Sequence, residues 1–485
     1  MLFHLAWRDN LDGFDLPLAL NRLAAHGAPM WWLGTAGPDN EPGDYLCDLT
    51  GAAVERLTRF GIAVRRWPEP IPDSAIAMVA PRIALFAGRA CGYPAFAYYA
   101  IALARLGFAF TLIDAAAIAA GGLSGCDLLV LPGGLAPWGL DAAEEASGAD
   151  AQFRGFLAGG GAAIGSGGGA FYLSSGRPGW AGIARTLPAN AHEYLRTGVG
   201  IVTLRLGADS IGFGCPPTLD MPYCHGPVFD ELDRSASSAG TFDRLVMAGS
   251  LFMANPLDAA LFAREMAGRT AILRAEGRRG RAVLFAGSPE MGDLVRKYIA
   301  LDDYALRYRP IAGEALMAEA LGHYRVLESP CFRLILNAIH SLMLRPRPPR
   351  GGVPHPPLPA LPGSAGYAPP RLAAALARSL GEIELPEKDP RSPLAATLLQ
   401  DLRARLQRAV PRREQAETGL MPLPGPAVAV RALWNACEEA AAVRPSAGGP
   451  APSLSEKLAE AETGIALIEA WCRLAEAEAC FGAPA

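Results

Sequence analysis

The residues of this 485-residue chain that could do chemistry fall in four short segments. Leu131-Pro132-Gly133-Gly134 ends one apolar run, and Gly165-Ser166-Gly167-Gly168-Gly169 leads from another into a helical pattern that begins near Ala170. Cys224-His225 stands inside YCHGPVF (223–229), and Glu290 closes Ser288-Pro289-Glu290. A glycine turn from strand to helix can raise a nucleophile above a sheet, while the N–H groups of a neighbouring turn stabilise a developing oxyanion. Amide hydrolysis there needs a thiol or hydroxyl at the apex, a base beside it and a third group that orients the base. The apex residue is Gly167, which has no side chain. Ser166 does not replace it, because G-x-S-x-G needs glycine at 164 and that residue is Ile164. Cys224-His225 is the remaining thiol and imidazole pair, but adjacent residues on a strand point to opposite faces.

The same glycines admit a second chemistry. Gly165 to Ala170 matches G-x-G-x-x-[GA] between a strand and a helix, which is a dinucleotide fingerprint. That motif belongs to the first strand of its unit and wants an acidic residue about 20 positions on, whereas some 80 residues of α/β pattern precede it here and none is acidic near 185. A tight elbow with close helix packing is the plainer reading. Arg89 and Cys91 follow the first strand of the same unit and are further crevice candidates, with capping and packing as their ordinary roles. Asp114 ends the next strand, where it either holds a ribose or caps a short helix.

Three groups of elements must position these residues. Residues 1–78 predict a small α/β unit in the order βαββαβ, compatible with a ferredoxin-like split fold: strands at 2–7, 30–33, 45–49 and 62–67, helices at 15–26 and 50–60. Asp15 and Thr50 are the expected N-caps, and Gly27 and Gly61 the left-handed stops. Residues 80–345 alternate apolar runs and helices, which predicts a parallel sheet buried on both faces. Its strands fall at 82–87, 108–113, 127–131 and 162–164, with a hairpin over 270–286 and a closing helix at 331–344. Residues 346–370 hold ten Pro and four Gly, which predicts an extended linker. Residues 371–485 carry four helical patterns, 371–380, 394–409, 427–443 and 454–481, cut by prolines that include Pro411. Ser453 with Glu456 makes a capping box for the last of them.

Composition narrows the function classes. Half of the residues are hydrophobic, and 54 Gly with 42 Pro make the chain rich in turns without making it disordered. A net charge of -4 leaves no basic face for nucleic acid. The longest uncharged stretch, 155–176, contains nine Gly and reads as a strand between loops, so no membrane span is expected. Nine scattered Cys with no CxxC pair argue against a disulfide framework or a zinc site, and a cytoplasmic location fits them.

The ordered set IALFAG (83–88), LLVLPGG (128–134), FLAGGGAAIGSGGGAFYLSS (156–175), YCHGPVF, GRAVLFAGSPE (280–290) and FRLILNAIHSL (332–342) resembles the class I glutamine amidotransferase-like superfamily. In particular it is similar to the amidotransferase-like N-terminal domain of biotin-protein ligases. The resemblance implies a flavodoxin-like parallel sheet flanked by helices, with oxyanion amides from the PGG turn and a cysteine at the elbow. Two departures stand out. Gly167 occupies the nucleophile position, and Ser288 occupies the position of the His in the family's His-Pro-Glu segment. Gly277-Arg278-Arg279-Gly280-Arg281 resembles the adenylate-binding loop of biotin ligases, yet it sits in a hairpin turn and no ligase-sized domain follows. The expectation is a pseudoenzyme that acts as a binding or assembly module, with no cofactor and no metal. Its crevice is expected to involve Gly133, Gly134, Ser166, Gly167, Gly168, Cys224, His225, Glu290 and Arg89. Its expected partners are a small ligand in that crevice and a protein, or a second copy, on the C-terminal helices through side chains such as Trp434 and Trp471. The alternatives are a hydrolase with catalysis moved to Cys224, His225 and Glu290, and a dinucleotide-binding protein.

Overall fold

The computed structural model describes residues 1–11, 13–87, 91–134, 148–176, 179–184, 186, 188, 197–230, 232–249, 255–277, 280–308, 319–343, 370–417 and 453–482. The N-terminal elements are β1 (Leu2–Leu5), α1 (Asp15–Ala25), β2 (Met30–Leu33), β3 (Tyr45–Asp48), α2 (Gly51–Arg59), β4 (Arg65–Arg66) and β5 (Ala75–Ala77). Their sheet is antiparallel in the order β4-β1-β3-β2-β5. The first four strands thus take the split order that βαββαβ predicts, and β5 is an addition the sequence reading missed. Gly27 and Gly61 have φ of 87° and 90°, as the helix stops require. Thr50 caps α2 by accepting the Ala53 N–H at 3.2 Å. Asp15 is not the N-cap of α1; Phe14 is, and the Asp15 carboxylate pairs instead with Arg105 and Arg473.

The second sheet is built from β6 (Ile83–Phe86), α3 (Ala95–Arg105), β7 (Phe110–Ile113), α4 (Ala115–Ala119), β8 (Leu128–Leu131), α5 (Ala149–Ala158), β9 (Ala162–Ser166), α6 (Gly168–Leu173), β10 (Val199–Leu206), β11 (Thr218–Cys224), β12 (Ala236–Gly249), α7 (Ala259–Glu265), β13 (Thr270–Gly277), β14 (Gly280–Phe285), α8 (Gly292–Tyr308) and α9 (Cys331–Leu342). Its nine strands run β11-β10-β12-β13-β14-β9-β8-β6-β7. The five from β14 to β7 are parallel, and β6, β8 and β9 are wholly buried, as their unbroken apolar runs require. The other four extend the sheet with antiparallel pairs: β13 and β14 form the hairpin expected over 270–286, and β10, β11 and β12 are strands the sequence reading did not place. From β6 the chain crosses to β7 on one side and returns to β8 on the other. The strand order therefore reverses between β6 and β8, the kind of switch point at which open α/β sheets bind ligands beyond the carboxyl ends of their strands.

The C-terminal elements are α10 (Pro370–Gly381), α11 (Ser392–Glu417) and α12 (Leu454–Phe481). The α11 helix continues through Pro411, so that proline does not interrupt it as expected. The capping box of α12 forms with both of its hydrogen bonds. This 28-residue helix is buried on most sides and lies against α3, α8, α11 and α1. Leu458, Ile465 and Ile468 face the chain's own core, and Trp471 is buried with them. The linker up to Pro369, the 427–443 helical pattern and Trp434 lie outside the described residues. Among the described residues no helix is long and apolar enough to cross a membrane, and no group of His, Cys, Asp and Glu is placed to hold a metal ion.

Candidate functional site

Three strand ends meet level with one another. Gly165 of β9 pairs with Leu131 of β8, and Ser166 pairs with Phe285 of β14. The chain then turns sharply. Gly167 has φ 49° and ψ -114°, a backbone conformation open to glycine and costly for other residues, and its N–H donates to the Phe285 carbonyl at 3.1 Å. The flanking glycines are there for packing. A Cβ on Gly169 would lie 2.1 Å from the Leu131 carbonyl oxygen, and one on Gly165 would lie 2.7 Å from the Gly169 carbonyl carbon. Those clashes account for the glycine pattern without a pyrophosphate. The first strand of the sheet is β6, not β9, so the dinucleotide fingerprint sits on the wrong strand.

A Cβ at the apex would sit in ordinary contact with its neighbours. A Cβ on Gly167 would meet nothing nearer than the Gly133 Cα at 3.4 Å and the Cys224 carbonyl oxygen at 3.8 Å. Gly133 and Gly134 therefore do stand beside the elbow, Gly134 with φ 82°. Gly168 opens α6. Glu290 lies just after β14 in a short 3-10 turn, and its carboxyl group accepts the Ser166 hydroxyl at 2.7 Å. A Cβ on Gly133 would stand 3.8 Å from that same oxygen, Oε1. Burial pushes the Glu290 carboxyl up to about 7, against the opposing pull of the Ser166 hydroxyl and of the Glu290 and Gly133 amides. Its second oxygen, Oε2, has no hydrogen-bond partner. Cys91 joins the group by donating to the Gly133 carbonyl at 3.2 Å, and burial raises its thiol far above the usual range. Tyr99 of α3 stands beside Ser166 and Glu290 with its hydroxyl buried.

Cys224 and His225 are close to this group but do not form a dyad. Burial, with the Glu290 charge, pushes the Cys224 thiol up to about 12, so the thiolate is disfavoured at neutral pH. His225 leaves the strand with φ 47°, and its Nδ1 accepts the Gly198 N–H at 3.1 Å. Burial lowers its tendency to protonate. Gly226 is pressed onto the end of β14: a Cβ there would lie 1.7 Å from the Ala286 carbonyl oxygen. Ser288 is buried and its N–H donates to the Pro222 carbonyl at 2.8 Å. Ser166 is fully buried and sits on the strand, one residue before the apex.

The other candidates separate from the site. Asp114 is a helix cap, accepting the Ala117 N–H at 2.7 Å. The Gly277–Gly280 turn joins β13 to β14 at the opposite ends of the strands from the crevice, and Arg278 and Arg279 lie outside the described residues. Arg89 also lies outside them. What the sequence reading missed is the direct Ser166–Glu290 pair and the place of Tyr99 beside it; partners 124 residues apart leave no local signal.

No protein-family model matches the chain, and no curated protein matches it. Solved structures similar to it include a glutamine amidotransferase from Thermotoga maritima, at 17% identity over 53% of this chain and 97% of that one, with a TM-score of 0.33. PurLQS from the same organism gives 15% identity, 54% and 99% coverage, and a TM-score of 0.33. A ThuA-like protein from Bacteroides uniformis gives 8% identity, 57% and 95% coverage, and 0.29.

Proposed function

We propose that this chain is a non-catalytic, amidotransferase-like module whose carboxyl-edge crevice binds a small ligand and whose role is binding or assembly. The observation that carries this reading is the elbow. Gly167 keeps the backbone conformation that would present a nucleophile, with room for a side chain, and supplies none. The thiols near it, Cys91 and Cys224, are held protonated by burial, and in the register of the resemblance Ser288 replaces the family's histidine. The relation to the N-terminal domain of biotin-protein ligases belongs to the same reading and rests on the order of the motifs. A protein partner remains part of it, with Trp471 excluded from the contact surface by its own burial.

The rival hydrolase reading draws on one specific contact, the 2.7 Å hydrogen bond between the Ser166 hydroxyl and a carboxyl group that titrates near neutrality. Against it, Ser166 exposes no surface to a substrate. Ammonia release from glutamine and from simple amides tests the two. The module reading expects none above the buffer rate, and turnover that vanishes in Ser166→Ala or Cys224→Ala would overturn it.

A further inference from the structure

Building on the crevice reading, we infer that the stretch of α12 at 459–463 is a strap across the elbow edge, and that a ligand reaches Gly167 only when α12 lifts. The starting observation is burial. Ser166, Gly167, Glu290 and Cys91 are all buried, so the strand-end edge at which a ligand would bind is covered. Two helices start at that edge. The α3 helix follows β6 and carries Tyr98 and Tyr99, and α8 begins two residues after Glu290. Both are held by the same short stretch of α12.

Three contacts make the hold. The Tyr93 hydroxyl, just after Cys91 and ahead of α3, donates to the Glu460 carbonyl. Tyr98 is buried where strap and elbow meet: Thr463 of α12 stands beside its hydroxyl, and the charges of Cys224 and Glu290 reach it too. Glu462 accepts from Lys297 Nζ at 2.9 Å and from the Tyr298 hydroxyl at 2.7 Å, both in the first two turns of α8. The α10 helix closes on the same stretch, since a Cβ on Gly464 would lie 2.7 Å from Leu376 Cδ2. The far end of α12 is moored separately on α1, by Arg22 Nη1 to Glu478 and Arg473 Nε to Asp15, each at 3.3 Å. The helix thus has a fixed end on the small domain and a latch at Glu462. When the latch opens, Lys297 and Glu462 both regain water, which offsets much of the attraction they lose. The pair therefore fixes where the strap docks more than how tightly, and closed and open are two distinct states.

Labelling of the full chain with iodoacetamide, read at each cysteine by peptide mass spectrometry, tests this. Cys91 reports access to the elbow, and Cys331, buried in α9 where that helix packs on β9 and β14, reports global unfolding. The expected result is slow labelling of both in the parent chain, and a Cys91 to Cys331 rate ratio at least tenfold higher in Glu462→Gln, where Lys297 is left unpaired in the closed state only. Should Glu462→Gln not fold, Tyr93→Phe decides: it keeps the ring, drops the bond to Glu460, and should raise the ratio about fivefold, the worth of one net hydrogen bond. A ratio that stays at the parental value in the folded variant, or Cys91 labelling in the parent chain as fast as that of free cysteine, overturns the inference. The readout is access to a thiol and not ligand binding. Failure here therefore leaves the module reading standing, whereas glutamine turnover would remove that reading and leave the strap.

Discussion

Glu462 is the place where the attachment of the C-terminal helix can be tested energetically. Its side chain has no exposed surface, and its carboxylate accepts from Lys297 Nζ at 3.2 and 2.9 Å and from the Tyr298 hydroxyl at 2.7 Å. Arg405 of α11 closes on the same carboxylate while also holding Glu469. Burial alone would raise the Glu462 carboxyl, but Lys297 and Arg405 outweigh it and hold the group below the usual carboxylate range. Glu462→Gln keeps the volume and removes the charge, leaving Lys297, itself 5% exposed, without its counter-ion. Breaking one side of a buried pair costs about 3–5 kcal/mol. Lys297→Met combined with Glu462→Met should recover part of that, since the Lys297 charge leaves with the carboxylate and Arg405 keeps Glu469, while the Tyr298 hydroxyl loses its acceptor. Urea unfolding followed by tryptophan fluorescence measures both variants. The sign with pH is fixed too: the contribution is full above the unfolded carboxyl value of about 4.3 and is lost as pH falls through the lower folded value. If Glu462→Gln costs less than about 1 kcal/mol, the range of exposed pairs, then α12 is not buried as described.

Three further outcomes follow from other parts of the chain. Gly169→Ala places a methyl group 2.1 Å from a backbone oxygen that cannot yield, so the protein should lose several kcal/mol or fail to accumulate, while Gly92→Ala meets nothing within 4 Å and should melt within about 0.5 kcal/mol of the parent. Glu290 takes up a proton on folding because its carboxyl titrates at about 7 against an unfolded value near 4.3, so its contribution to stability should fall by about 3 kcal/mol from pH 4 to pH 7 and then level off; Glu290→Gln should flatten that slope. Brief proteolysis should cut first between Pro346 and Pro370, whose composition gives little to bury, and sequencing of the fragments reads the site.

The parts of the fold that sequence revealed were those with a local cause. Gly27, Gly61 and Gly167 each sit where only a positive φ continues the chain, and the apolar runs of β6, β8 and β9 follow from burial on both faces. The antiparallel extension was missed because β10, β11 and β12 mix buried and half-exposed positions and take their order from long-range pairing. Asp15 looked like a cap because caps are local, whereas its partners Arg105 and Arg473 lie 90 and 458 residues away. The site divides in the same way. The elbow and the PGG turn were visible as motifs, but the Ser166–Glu290 pair and the orphaned Glu290 oxygen exist only once three strand ends are brought level.

The claim that the elbow has no working nucleophile is tested most directly by covalent trapping. The full chain is incubated with a chloroketone analogue of glutamine at neutral pH, and peptide mass spectrometry then reads the label at each cysteine and at Ser166. The account predicts slow, unselective labelling that follows thiol exposure and is not slowed by competing glutamine, because burial holds Cys91 and Cys224 protonated and Gly167 offers no atom to alkylate. Rapid labelling of one residue at the crevice, stoichiometric and protected by glutamine, would contradict it.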